Sequence, residues 1–232
     1  MKIAIVTGGS GGIGESISRA LAKKYKVCIS FNKSKEKALK LAKELKGIAV
    51  ECDVSSEASV KKLFNEAEKH GEIAVLVNNA GAIHWVSSYK EVSSEMFDEL
   101  MQTNAKGCFL TSKEFGLRVK KGVIVNIAST GALNNSFPGV HYNASKAAVL
   151  SLTQSFANLL APIRVNAVSP GIIASNDNAE KFYGTRFQEI ISKIPLKRLG
   201  KPEEIANAVL FCVENEYLTG QNIIVAGGRV MR

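Results

Sequence analysis

Seven short apolar runs separated by segments of helical pattern constrain the fold more than any other feature of this chain. The runs are Lys2–Val6, Lys26–Phe31, Ile48–Glu51, Ile73–Val77, Gly122–Ala128, Ile163–Val168 and Asn222–Ala226. Most are continuous rather than alternating, the pattern of strands buried on both faces. Helical patterns fill the gaps at Ile13–Lys24, Glu36–Lys46, Glu57–His70, Glu95–Val119, Tyr142–Leu160 and Pro202–Val213. Strand, helix, strand in sequence implies right-handed crossovers and parallel strands. The expected class is therefore α/β: a doubly wound, seven-stranded parallel sheet with helices on both faces. Such a sheet binds ligands beyond the carboxyl ends of its strands. No repeat or low-complexity segment divides the chain, so residues 1–232 are expected to form one domain. The single long irregular stretch, about 171–200, is the natural place for a substrate lid.

Composition narrows the class of protein. With 46% hydrophobic residues, 19 glycines and only 5 prolines, the chain has the makeup of a globular domain rather than a disordered one. Cys28, Cys52, Cys108 and Cys212 form no CxxC pair and sit mostly in apolar runs, so they read as reduced core residues, with no metal site expected. No stretch approaches the ~18 apolar residues of a membrane span, and the apolar start Met1–Val6 is too short for a signal peptide; a cytoplasmic location is expected. The formal charge of +9 suits an anionic partner. The densest lysine run, Lys33 to Lys46, is interleaved with Leu39, Leu41 and Leu45 and lacks aromatic residues for base stacking. A solvated helix face is the better reading, and no nucleic acid or membrane is expected as a partner.

After the first strand, Thr7-Gly8-Gly9-Ser10-Gly11-Gly12-Ile13-Gly14 opens directly into a helix. Glycines let backbone N–H groups approach a pyrophosphate at a helix N-terminus, where the dipole and unpaired donors favour anions. The second strand ends at Phe31, where an NAD site would want a carboxylate to accept from the ribose 2′-OH. Instead Asn32, Lys33 and Ser34 offer donors and a positive charge to a 2′-phosphate. NADP(H) is therefore the preferred cofactor, with NAD(H) the alternative.

Tyr142 and Lys146 lie one helical turn apart, about 5–6 Å between Cβ atoms, close enough for the ammonium to act on the phenol. A phenol of pKa about 10 is protonated at pH 7, and a nearby cation favours its ionised form. Ser129 ends the fifth strand upstream of this pair. Asn78-Asn79-Ala80-Gly81 ends the fourth strand at the same edge of the sheet, with Gly81 allowing close backbone approach.

Taken together these motifs resemble the short-chain dehydrogenase/reductase family, and the resemblance runs from Lys2 to Gly228. It rests on Thr7-Gly-x-x-x-Gly-Ile-Gly14, Asn78-Asn-Ala-Gly81, Ser129 with Tyr142 and Lys146, Pro170-Gly171, and Pro195-Leu196 through Gly200-Lys201-Pro202-Glu203, in order and spacing. It implies a single-domain Rossmann fold and hydride transfer between a nicotinamide and a carbonyl/alcohol pair. By the same resemblance, Ser129 bonds the substrate oxygen, Tyr142 is the proton donor or acceptor, and Lys146 holds the nicotinamide ribose and lowers the tyrosine pKa. Asn104 is the fourth catalytic member and supports a water-linked proton path. Gly8, Ser10, Gly11, Gly12, Ile13 and Gly14 cradle the dinucleotide, with Asn79, Ala80 and Gly81 beside them. Asp53 and Val54 meet the adenine, and Pro170, Gly171, Ile173 and Ser175 meet the nicotinamide end. His84, Trp85 and His141 fall near the pocket mouth and are expected to line it or face solvent, since the Tyr142/Lys146 pair already supplies the acid/base.

Within the family, Ile194–Ile205 and Leu218-Thr219-Gly220-Gln221 through Gly227-Gly228 look most like 3-oxoacyl-acyl-carrier-protein reductases, whose substrates ride on an acidic carrier. Val123 and Ala161 stand where those reductases often carry basic residues, and Lys120, Lys121 and Arg164 are close but not equivalent. A sugar, polyol or small-ketone reductase is therefore the alternative, and a non-catalytic nucleotide-sensing protein a more distant one. A homotetramer, or a dimer, is expected from the resemblance and from the small-residue helix segment Ala147-Ala148-Val149-Leu150 to Phe156-Ala157.

Overall fold

The structure, a computed structural model, describes residues 1–134, 139–174, 184 and 187–231. Seven parallel strands form one sheet: β1 (Ile3–Val6), β2 (Lys26–Phe31), β3 (Ile48–Glu51), β4 (Ile73–Asn78), β5 (Val123–Ile127), β6 (Arg164–Pro170) and β7 (Asn222–Val225), in the order β3-β2-β1-β4-β5-β6-β7. Among the described residues the α-helices are α1 (Gly12–Leu21), α2 (Lys35–Glu44), α3 (Glu57–Glu68), α4 (Ser94–Leu100), α5 (Gly107–Arg118), α6 (Gly131–Asn134), α7 (Val140–Leu159), α8 (Phe187–Ser192) and α9 (Pro202–Glu214).

 

Helix α7 runs twenty residues, the longest among the described ones. From β1 the chain steps outward through β2 and β3, then returns to pair β4 on the other side of β1, so the carboxyl ends of β1 and β4 flank the point where the strand order reverses. A crevice opens there because successive crossovers leave in opposite directions. The register keeps those ends level: Val6 pairs with both Ile29 and Val77, and Asn78 with Asn126.

Each face of the sheet is covered. On one side Ile17 and Leu21 of α1, Leu41 of α2, and Ile205 and Val209 of α9 pack on Val6, Val27 and Val125. On the other, Leu63 and Phe64 of α3, Phe115 of α5 and Phe156 of α7 pack on Ile5, Leu76 and Ile124. Burying side chains of this kind contributes about 1.5–3 kcal/mol apiece, which explains why the strands read as unbroken apolar runs. All four cysteines are free and buried. On α2, Ala38, Leu41 and Ala42 face inward, whereas Leu39 is exposed and does not belong to the apolar face. Among the described residues no helix is long and apolar enough to cross a membrane.

The expected helix Glu95–Val119 is three pieces: α4, a π-helical stretch at Met101–Lys106, and α5. The wider π turn accompanies Asn104, whose side chain is drawn into bonds described below; such turns recur at functional sites. Of the stretch expected as a lid, 175–183 and 185–186, and with them Ser175, lie outside the described residues. The ends of the stretch are joined by a bridge between Ile173 and Gly200. On the α7 face expected to pack against a symmetry mate, Val149 and Phe156 are buried within the chain itself, while Ala147 is exposed.

Candidate active site

The glycine turn after β1 is shaped by sterics. Gly8 and Gly12 take left-handed φ of 60° and 43°, conformations that other residues adopt at a cost. A Cβ on Gly14 would come within 2.3 Å of the Gly8 carbonyl oxygen, so only glycine lets the turn close. Gly11, the residue capping α1, supplies no side-chain cap, and the space where its Cβ would lie is empty to 4 Å. The N-terminus of α1 is thus left without a side-chain cap, and its first-turn N–H groups are the donors an anion can use. This cradle fits a dinucleotide pyrophosphate.

Thr7 fastens the glycine turn to the turn after β4. Its Oγ1 accepts from the N–H groups of Asn79 and Ala80, both at 3.0 Å, while Asn79 Nδ2 donates to the carbonyls of Thr7 and Gly8, also at 3.0 Å. One layer deeper, Asn78 Nδ2 donates to Asn126 Oδ1 at 2.9 Å and to Ser112 Oγ at 3.0 Å, and Thr111 Oγ1 donates to Asn78 Oδ1 at 2.7 Å. A buried network with its groups paired holds strand ends in one geometry. Neither Thr7's grip nor this network carries a local sequence signal, because the partners stand 33 to 73 residues apart in the chain.

Above that network, Ser129, two residues past the end of β5, and Tyr142, in the first turn of α7, come together on one wall of a cleft. Ser129 Oγ accepts from the Gly131 N–H at 3.0 Å. Burial pushes the Tyr142 phenol above its ordinary pKa, and the neighbouring Ser129 hydroxyl opposes that shift. Lys146 Nζ lies 5.9 Å from the centre of the Tyr142 ring and donates to the Ile127 carbonyl at 2.8 Å. Burial pulls its ammonium down to about 8. The expected depression of the tyrosine by this cation is thus not a property of the protein alone, where desolvation of the phenol dominates.

Ser129, Tyr142 and Lys146 line one cleft of about 320 Å³, together with Ile13, Asn79, Gly81, Pro170, Gly171 and Ile173. Asn104 stands behind it, in a small cavity whose wall also includes Lys146. Its Oδ1 accepts from Ala82 N–H at 2.8 Å, and its Nδ2 donates to the Ala82 carbonyl at 3.0 Å and to Ser145 Oγ at 2.9 Å. Ser145 in turn donates to the Tyr142 carbonyl at 2.7 Å. Asn104 therefore couples the turn after β4 to the first turn of α7. Gly81 is what allows the approach: a Cβ there would lie 3.1 Å from Asn104 Oδ1 and 3.4 Å from Lys146 Nζ.

The remaining expected residues rim the same edge of the sheet. Asn32, Lys33 and Ser34 are exposed past β2, with Phe31 buried beneath them. Past β3, Asp53 is exposed and accepts from Ser55, and Val54 is buried in contact range of Gly107. Ser10 is buried within the glycine turn. Trp85 lines the cleft as expected, and His84 pairs with Glu99 at 2.9 Å. His141 departs from expectation. It is fully buried, stacks on His84 with ring centres 6.4 Å apart, and its ring nitrogens have no hydrogen-bond partner among the described residues. Burial first, and then the neighbouring His84, hold its pKa below the usual value.

Arg164, the basic residue nearest the start of β6, donates to the carbonyls of Cys212, Val213 and Leu218 at 2.7, 2.7 and 3.2 Å. It is committed to the carboxyl end of α9.

Residues 8–229 match a family model described as enoyl-(acyl carrier protein) reductase. The chain is 38% identical, over 99% of its length and 98% of the relative's, to the 3-oxoacyl-[acyl-carrier-protein] reductase FabG of Staphylococcus aureus. It is 36% identical to carbonyl reductase family member 4 of Danio rerio, over 98% of this chain and 97% of that one. Among solved structures, one titled ribose-5-phosphate isomerase from Brucella melitensis 16M superposes with a TM-score of 0.89 at 29% identity, covering 98% of this chain and 92% of that one.

Proposed function

This chain belongs to the short-chain dehydrogenase/reductase family and is an NAD(P)-dependent oxidoreductase acting on carbonyl and alcohol groups; from that premise we propose that it is an NADP(H)-dependent reductase of 3-oxoacyl thioesters, with Tyr142 as its acid/base. The observation that carries the reading is that Ser129, Tyr142 and Lys146 line one cleft beside the glycine turn's Ile13. The bound nicotinamide supplies the hydride in reduction and takes it in oxidation. Gly8, Ser10, Gly11, Gly12, Ile13 and Gly14 would hold the pyrophosphate, and Asn79, Ala80, Gly81, Pro170, Gly171 and Ile173 would shape the nicotinamide end, a role also assigned to Ser175, which lies outside the described residues. Asp53 and Val54 bound the adenine.

In reduction the Tyr142 hydroxyl gives its proton to the substrate oxygen while the Ser129 hydroxyl donates a hydrogen bond to the same oxygen. A carbonyl polarised from two sides accepts hydride at its carbon more readily. Lys146 holds the ribose and stabilises the phenolate left behind. Asn104 keeps Ala82 and Ser145 in register, so that the first turn of α7 presents Tyr142 in one position. A cytoplasmic, oligomeric enzyme is part of the same reading.

The substrate assignment follows the FabG relatives. A second reading, a small ketone, sugar or polyol as substrate, is favoured by Arg164 and Val123, since the first is tied to α9 and the second is buried where a carrier-docking cation is wanted. Oxidation of NADPH and of NADH measured against acetoacetyl thioesters, diketones and sugars tests both. Turnover is expected with a 3-oxoacyl thioester and NADPH, and Tyr142→Phe is expected to lose about 10²–10⁴ of it while still binding cofactor. Turnover within threefold of the parent in that variant would remove Tyr142 from the role.

A further inference from the structure

One cationic wall of the cleft has no task in the proton and hydride transfers. Arg229 lines the cleft that holds Ser129 and Tyr142. It follows a turn built to place it. Gly227 and Gly228 have φ of 60° and 85°, and the Arg229 N–H donates to the Ala226 carbonyl at 3.1 Å. A Cβ on Gly227 would come within 2.8 Å of Ile194, and one on Gly228 within 2.8 Å of Pro195. The turn is wedged against that segment, which folds the chain after β7 back over the carboxyl edge of the sheet.

Charge singles this residue out. Among the described residues the other arginines are engaged: Arg19 with Glu15 and Glu44, Arg118 with Glu68 and Glu114, Arg198 with Glu204, and Arg164 with backbone carbonyls. Arg229 is partly buried, and neither an ion pair nor a side-chain hydrogen bond joins it to any described residue. The cleft wall around it includes the apolar side chains of Trp85, Ile172 and Ile173 and, among the described residues, no carboxylate. A guanidinium beside apolar surface with no counter-charge attracts an anion more strongly than one in open water.

Position separates substrate from cofactor. The strand order β1-β4-β5-β6-β7 places the glycine turn, the Ser129 end of β5 and the Arg229 turn in that sequence along the edge. A dinucleotide anchored at the glycine turn reaches Ser129 and Tyr142 before it reaches Arg229.

We propose that Arg229 is a specificity-determining residue that binds an anionic group, carboxylate or phosphate, carried by the substrate whose carbonyl is held at Ser129 and Tyr142. This rests on the reading of that pair as the reacting centre. The anion has two sources compatible with a reductase of this kind: a carboxylate near the carbonyl, or the phosphate of a pantetheine arm.

Two substrate pairs distinguish them. Acetoacetate is compared with methyl acetoacetate, and the 4′-phosphopantetheine thioester of acetoacetate with its neutral N-acetylcysteamine thioester, each with saturating NADPH. The parent is expected to prefer the anionic member of one pair by about tenfold or more in kcat/KM, and Arg229→Gln to reduce that preference by about tenfold, the effect of one charge-assisted contact. Arg229→Lys should keep part of it, because the charge remains while the planar fork is lost. Trp85 is the only tryptophan in the chain and lines the same cleft, so its fluorescence reads binding without turnover. Titration of the NADPH complex with 3-hydroxybutyrate and with phosphopantetheine is expected to show about tenfold weaker binding of one of them in Arg229→Gln. Anion binding that depends on Arg229 without turnover of any carbonyl keeps the anion site and sinks both the reductase reading and the specificity role that rests on it. Neutral and anionic substrates used equally by the parent, or an Arg229→Gln variant with the parent's preference and the parent's titration, overturn the inference.

Discussion

Lys146 is buried to 5% exposure, with its charge answered by one backbone carbonyl at 2.8 Å. Desolvation moves it from 10.5 to about 8, and only the neighbouring Cys108 opposes the shift. The folded chain therefore binds fewer protons than the unfolded one between about pH 8 and 10.5. Stability rises with pH across that window, and about 3 kcal/mol is lost as pH falls from its upper to its lower end. Below pH 8 the loss is complete. Lys146→Met is expected to raise the thermal midpoint at pH 7 while lowering reductive turnover about a hundredfold or more, because the ammonium that favours the phenolate is gone. The parent's kcat/KM for reduction should be level below about pH 8 and fall above it as the ammonium deprotonates. A level profile through pH 9.5 in the parent, or a Lys146→Met midpoint below the parent's, would contradict this account of the residue. At this scale the sequence is readable where the chemistry is local. Tyr142 and Lys146 announce themselves by one turn of helix, and Gly14 by its place in a glycine run. Thr7, Ser145 and Arg229 do not: Thr7 binds the turn after β4, Ser145 accepts from Asn104, and Arg229 lines the cleft of Ser129 and Tyr142, and only the folded sheet brings those groups together.

Elements show the same division between local and assembled information. All seven strands were legible, to within two residues at either end, because burial on both faces writes an unbroken apolar run. The π-helical stretch Met101–Lys106 was not, since six residues are too few for a widened turn to change the hydrophobic period. Short α6 and α8 likewise have too few turns to leave a pattern. The end of β2 is where element geometry bears on cofactor choice. Phe31 closes the strand in register with Glu51 of β3, and the three residues after it are exposed beyond the edge. A carboxylate at Phe31 would repel a 2′-phosphate and accept from a bare ribose. Phe31→Asp is expected to shift the kcat/KM ratio toward NADH, and Lys33→Ala to weaken NADPH by about tenfold or more relative to NADH. A parent with higher kcat/KM for NADH than for NADPH would reverse the cofactor assignment and leave Tyr142 in its role.

At the scale of the molecule, what remains is the surface that α5 and α7 present on the far side of the sheet from α1, α2 and α9. Phe109 and Leu117, two turns apart on α5, are 41% and 71% exposed, and Leu159 at the end of α7 is 75% exposed. Phe109 also stacks on Phe156 of α7 with ring centres 6.1 Å apart, so the two helices share a continuous outer surface. The expected self-association surface was drawn from α7 alone; the structure shows part of that helix buried inward and α5 contributing the larger exposed side chains. Scattered single apolar residues are ordinary, but several on adjacent helices of one face suit a two-fold contact in which each copy meets the same patch on its mate. The net charge of +9 works against association at low salt, and screening relieves it. Sedimentation at micromolar concentration and moderate salt is expected to give a dimer or tetramer, and Phe109→Glu combined with Leu117→Glu to shift it toward monomer. Both positions are exposed and on the helical surface, so the fold should survive the change, and the circular dichroism spectrum checks that it does. A parent that sediments only as monomer would show that these side chains face solvent and would remove self-association from the reading.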